Sequence, residues 1–135
     1  MKELESVNGK ECDPRIILLV DDDENFLTVL ANEIMDYRSN PYVLTAESGE
    51  KALKILGTER VDIVVTDLKM PVMNGLVLLS HIKRSYPHIP VIVMSAFCDP
   101  EVKIELGAMG VYQCIDKSKL RVLEEMIVGA LARRQ

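Results

Sequence analysis

Asp21 and Asp22, Asp67, Ser95 and Lys117 each follow or close an apolar run: Ile16 to Val20, Ile63 to Thr66, Val91 to Met94 and Val111 to Asp116. Carboxylates, a hydroxyl and an ammonium are the groups that phosphate chemistry uses. Three carboxylates within a few ångströms repel by roughly 4 kcal/mol per pair at 4 Å and an effective dielectric near 20, so the cluster needs a cation. An all-oxygen site that must leave positions for water and a phosphoryl oxygen suits Mg²⁺. Asp22 and Asp67 would ligate it directly, and Asp21 would act through water or adjust the charge. A carboxylate kept ionised by the metal can attack phosphorus and become an aspartyl phosphate. Phosphoryl transfer rests on positioning and electrostatics, so Lys117 would share the charge on the equatorial oxygens and Ser95 would donate a hydrogen bond to one of them.

Each feature alone has a plainer explanation. An Asp after a strand is often a helix N-cap, and Asp23 before Glu24 reads as one. Ser95 alone suits a turn, Lys117 alone a solvated surface, and Met70-Pro71 with Asn74-Gly75 a turn into the next helix. The joint placement carries the argument, and it requires elements that bring the four run ends to one edge. Candidate strands are Ile16 to Val20, Tyr42 to Ala46, Ile63 to Thr66, Val91 to Ser95 and Val111 to Ile115. Between them Phe26, Leu30 and Ile34 share one helical face, Ala52, Ile55 and Leu56 a second, and Leu76, Leu79 and Ile82 a third. Asp99-Pro100 caps and opens a fourth helix that Gly107 ends. Ser118 caps a fifth, with Leu120, Leu123, Ile127 and Leu131 inward and Arg121, Glu124 and Glu125 outward.

Strands alternating with helices predict an α/β fold: a doubly wound, five-stranded parallel sheet with helices on both faces. The runs ILLV, IVV and VIV suit central strands, whereas the mixed Tyr42 to Ala46 suits an edge. Ligands of such sheets bind beyond the carboxyl ends of the strands. Residues 1–13, polar and containing Gly9, read as a flexible lead-in, and 14–135 as one domain.

A chain of 135 residues with 48% apolar content supports a core of ordinary size. The formal charge of −5, with no Trp and only two Phe, argues against direct nucleic-acid binding. No run approaches the roughly 20 apolar residues of a membrane span, so a soluble protein without a membrane partner is expected. Cys12, Cys98 and Cys114 are odd in number and widely spaced, with no CxxC pair. They predict neither a disulfide framework nor a zinc site, and a reducing cytoplasm fits best.

With ILLVDDD, VTDLKMPVMNG, VIVMSA and CIDKS in this order, the chain resembles the receiver domain of response regulators in two-component signalling, in the manner of the chemotaxis receivers. The resemblance covers about residues 14 to 133. It implies the flavodoxin-like strand order 2-1-3-4-5, with Asp67 as phosphoacceptor, Asp21 and Asp22 as the acidic metal pair, Ser95 as switch hydroxyl and Lys117 as phosphate contact. The backbone carbonyl of Lys69 would be the remaining Mg²⁺ ligand. A sensor histidine kinase or phosphotransfer protein would donate the phosphoryl group. Phosphorylation would then alter contacts at the surface of the fourth helix, fifth strand and fifth helix, with a downstream effector or an output domain beyond this chain. A homodimer through that surface is plausible in the family. No turnover of a small molecule is expected beyond the domain's part in its own phosphorylation and dephosphorylation.

Three departures bear on the transfer. Cys114 stands where many receivers carry a rotating Tyr or Phe; alternation along the strand would put Tyr112 on the same face. Ser118 stands where the family often has a cis proline, and a trans bond is expected because cis before Ser costs roughly 2.5 to 4 kcal/mol. Lys69 and Phe97 would flank the approach to the phosphate. Two rivals are an aspartate-dependent phosphohydrolase using Asp21-Asp22-Asp23, where Asn25 breaks the usual pattern, and a docking module that is never phosphorylated. The bulk of Phe97 predicts slow access of water and a long phosphorylated lifetime; a Phe97→Ala variant that dephosphorylates no faster refutes this.

Overall fold

The structure, a computed structural model, describes residues 14–133 apart from 71 and 97. The expected lead-in over residues 1–13 and the side chain of Phe97 therefore lie outside the described residues. In chain order the elements are β1 (Ile16–Val20), α1 (Glu24–Met35), β2 (Tyr42–Ala46), α2 (Gly49–Thr58), β3 (Ile63–Asp67), α3 (Gly75–Ser85), β4 (Val91–Ser95), α4 (Pro100–Ala108), β5 (Gln113–Asp116), a 3₁₀ turn (Lys117–Val122) and α5 (Leu123–Arg133). All strand pairs are parallel, in the order β2-β1-β3-β4-β5. The expected fold and strand order are thus observed, with β2 at an edge.

Alternation along the strands builds two cores. Leu18, Val20, Val64, Val91 and Val93 point to the layer of α2, α3 and α4, where Ala52, Leu56, Leu78, Leu79, Ile82 and Leu106 meet them. Ile17, Leu19, Ile63, Val65, Ile92 and Met94 point to the layer of α1 and α5, packing on Leu27, Leu30, Ile34, Leu123 and Ile127. A central strand buried on both faces favours apolar residues, and in β1, β3 and β4 the polar ones are confined to the carboxyl end: Thr66 and Asp67 close β3 and Ser95 closes β4. Four helices begin on a side chain that accepts an N–H three residues later: Asp23 from Phe26, Ser48 from Lys51, Asn74 from Val77 and Asp99 from Val102. Each cap contributes about 1 kcal/mol and fixes where its helix starts relative to the strand before it.

Several details differ from the sequence reading. β3 includes Asp67, so that carboxylate sits on the strand rather than past it. β5 begins at Gln113 instead of Val111, because the Val111 N–H donates to the Leu106 carbonyl at 3.1 Å and closes the end of α4. Gly110, at φ +92°, makes that turn. α4 continues one residue beyond Gly107. On α3 the buried leucines and isoleucine are Leu78, Leu79 and Ile82, with Leu76 only partly covered. Ser118 does not cap α5; it lies in the 3₁₀ turn, whose own cap is Asp116.

Tyr112 and Cys114 are on opposite faces, against the expectation. Tyr112 precedes the strand and packs with the α1 and α5 layer, whereas Cys114 joins the core under α2, α3 and α4. The cysteine reading also needs correction: Cys98 and Cys114 form a disulfide, their Cα atoms 6.6 Å apart. Parity and CxxC spacing do not register this pair, because the turn after β4 and the α4 crossover bring together residues that are distant in the chain.

Candidate functional site

The carboxyl ends of β1, β3, β4 and β5 form one edge, and the ladder register places Val20 beside Thr66, Asp67 beside Met94 and Ser95 beside Asp116. One oxygen each from Asp21, Asp22 and Asp67 lies within 4.8 Å of the others. Asp21 is fully buried, Asp67 is 7% exposed, and Asp22 faces solvent. Asp21 is held at both oxygens: Oδ1 accepts the Asp23 N–H at 2.9 Å and Oδ2 accepts from Lys117 Nζ at 2.8 Å. Asp67 Oδ1 accepts the Leu68 N–H at 2.9 Å and stands 3.5 Å from Lys117 Nζ. The five expected side chains converge, since Ser95, 6% exposed, lines with Asp67, Lys69, Asp99 and Lys117 a cavity of about 290 Å³.

Electrostatics follow from this packing. Burial, reinforced by the neighbouring Asp21 charge, raises the Asp67 carboxyl above its ordinary value, against the pull of Lys117 and the Leu68 N–H. Burial pulls the Lys117 ammonium down, but the hydrogen bond to Asp21 and the charge of Asp67 outweigh it and hold the group above its ordinary value. Three carboxylates against one ammonium leave two formal negative charges at the cluster. An oxygen-only donor set with that residual charge, one member open to solvent, fits a hard divalent cation.

Ser118 does not displace Lys117. All described peptide bonds are trans, as expected. The turn is held instead by Asp116 Oδ1, which accepts the Ser118 N–H at 3.0 Å and the Ser118 hydroxyl at 2.7 Å.

Two contributors to the site and one buried acid away from it escaped the sequence reading. Phe26, assigned only to the inner face of α1, carries the Lys117 ammonium 4.5 Å from its ring centroid, which favours the charged form and aims it at the acids. Gly75 admits the start of α3 against the end of β3: a Cβ there would lie 2.5 Å from the Asp67 carbonyl oxygen and 2.8 Å from the Leu68 Cα. Asp62 is a buried carboxylate at the opposite edge, where it accepts the Ile16 N–H at 2.7 Å and pairs with Arg60. Of these, only Gly75 had a signal, its place after Asn74 in a turn motif.

The chain is similar to known proteins in sequence and in fold. The family model described as "Response regulator receiver domain" matches residues 17–128. The chain is 36% identical over 105 residues to the transcriptional regulatory protein GlrR of Escherichia coli (strain K12), covering 77% of this chain and 23% of that protein. It therefore spans about a quarter of that relative's length. The receiver domain of Francisella response regulator 1452 superposes with TM-score 0.83 at 25% identity, covering 91% of this chain and all of the other. The response regulator TrrA of Thermotoga maritima, solved in complex with Mg²⁺ and BeF, superposes with TM-score 0.76 at 26% identity over 86% of this chain and 98% of its own.

The raised Asp67 carboxyl has a consequence for stability. Its favourable contribution is complete below the ordinary Asp value of 3.8 and is lost as pH rises through the higher folded value. Without divalent cation, Asp67→Asn therefore melts above the wild type at neutral pH, and the gap closes as pH falls toward the ordinary value; a lower melting temperature at neutral pH contradicts this.

Proposed function

Since the chain belongs to the response regulator receiver domain family of two-component signalling, we propose that Asp67 is its phosphoacceptor and that a sensor kinase or phosphotransfer protein supplies the phosphoryl group from a phosphohistidine. The observation that carries this reading is the meeting of Asp21, Asp22, Asp67 and Lys117 beside Ser95 at one sheet edge. Asp22, Asp67 and the Lys69 carbonyl would hold Mg²⁺, with Asp21 acting through water. Bound there, the ion supplies Lewis-acid stabilisation of charge on the phosphoryl oxygens.

The remaining work belongs to the chain. An Asp67 carboxylate oxygen attacks phosphorus, the phosphorus–nitrogen bond to the donor imidazole breaks, and the imidazole leaves with the electron pair. The Lys117 ammonium, which bridges Asp21 and Asp67, turns to a phosphoryl oxygen and replaces one ion pair with another. The Ser95 hydroxyl donates to a second oxygen, drawing the turn after β4 toward the phosphate. That movement shifts the surface of α4, β5 and α5 between two populations, and the phosphate sets the balance through local hydrogen bonds and charge. The consequence is a change in which effector or output domain, or second copy of the chain, that surface binds. Hydrolysis of the acyl phosphate resets the switch. Such exchange with a kinase fits a cytoplasmic protein, and among the described residues no helix is long and apolar enough to cross a membrane.

The phosphohydrolase reading is weaker, because Asp23 Oδ1 is engaged by the Phe26 N–H as the cap of α1 and lies outside the carboxylate cluster. Incubation with Mg²⁺ and acetyl phosphate separates the remaining readings. Intact-mass measurement should show one added phosphoryl group on the wild type and none on Asp67→Asn, with Lys117→Ala reacting about 10²–10³-fold more slowly. Absence of any added mass on the wild type supports a docking module instead.

A further inference from the structure

We propose that Cys98 and Cys114 are a reversible redox site that, when bridged, tethers α4 and the turn after Ser95 to β5 and so opposes the phosphate-driven switch. The inference rests on the receiver reading given above. Its own foundation is the placement of the pair.

Cys98 lies between Ser95 and Asp99, the cap of α4, and Cys114 lies on β5, so the bridge closes a ring that contains the whole of α4. This helix is the least anchored of the five. Leu106 is its one buried residue, whereas each of the others buries at least three. With so little apolar contact to hold it, the covalent link supplies much of the restraint on α4. Reduction should free it more than any other element. The Cys98 N–H also bonds to the Asp116 carboxylate, so the turn is fastened to β5 at two neighbouring points, one of which thiol chemistry can release.

The pair is reachable. Cys98 is half-buried, and Cys114, though 8% exposed, borders a surface depression of about 110 Å³ beside Gly107 and Gln113. In a reducing compartment a disulfide is usually transient and serves regulation rather than architecture. The co-reactant is a dithiol reductant. Its first thiolate attacks Cys98 Sγ, the sulfur–sulfur bond breaks, and Cys114 leaves as a thiolate that takes a proton. The second thiol of the reductant then displaces Cys98 from the mixed disulfide. Two electrons and two protons pass to the cysteine pair, and the reductant becomes a disulfide.

Two measurements on the full chain test this. After mild oxidation, proteolysis and mass spectrometry should find the Cys98 and Cys114 peptides linked, and dithiothreitol should convert both to alkylatable thiols. Binding of fluoroberyllate with Mg²⁺, a phosphoryl mimic, should then be about tenfold tighter in the reduced than in the oxidised protein, within the usual range of coupling between sites. Cys98→Ser and Cys98→Ala should bind equally in both redox conditions. Failure to find the linked peptide overturns the site. A linked peptide with equal affinities overturns the coupling while leaving the receiver reading intact. Absence of fluoroberyllate binding in either state overturns the receiver reading, and the coupling with it.

Discussion

Crowding of like charge governs this protein. Asp21 and Asp67 are removed from water at the end of a parallel sheet, with Asp22 close enough for all three to offer oxygens within 4.8 Å of one another. A charge pair at about 4 Å and an effective dielectric near 20 is worth roughly 4 kcal/mol, so the arrangement is tolerable only with positive charge between the acids. Lys117 provides part of it, steadied by the ring of Phe26 and bonded to Asp21. Neutralisation is incomplete. The remaining deficit fits a divalent ion, and that fit underlies the proposal that the site takes Mg²⁺ and a phosphoryl group.

The fold exists to hold that crowd in place. Residues of alternating orientation in β1, β3 and β4 fill two separate cores, so the polar residues of these strands, Thr66, Asp67 and Ser95, gather at their carboxyl ends. Helix caps at Asp23, Asn74 and Asp99 then set the turns that leave those ends. Apolar packing holds four of the helices, whereas at α4 it is thin and the Cys98–Cys114 bridge takes up part of the restraint. The contrast between a rigid acidic cluster and a lightly held helix is what a switch requires, because a small change in hydrogen bonding at one can bias the position of the other.

Much of this was legible in residue order. Apolar runs located β1, β2 and β4 to the residue, and the acids, hydroxyl and ammonium at the run ends are the groups that the fold brings together at one sheet edge. What stayed hidden depended on through-space partners. Nothing near Val111 announces that its N–H closes α4 instead of entering β5, and nothing in the spacing of Cys98 and Cys114 announces their contact. Phe26 reads as one more apolar helix residue until Lys117 is seen above its ring. Val72, at φ 66° and 92% exposed, adopts a backbone that its β-branched side chain disfavours, and residue type alone would not suggest it.

Thermal unfolding across a Mg²⁺ titration tests the charge deficit most directly. The account predicts a saturable rise in melting temperature, amounting to about 2.7 kcal/mol of added stability at a hundredfold excess over the dissociation constant. It also predicts that this rise disappears in Asp22→Ala. A wild-type melting temperature indifferent to Mg²⁺ at every concentration would contradict it.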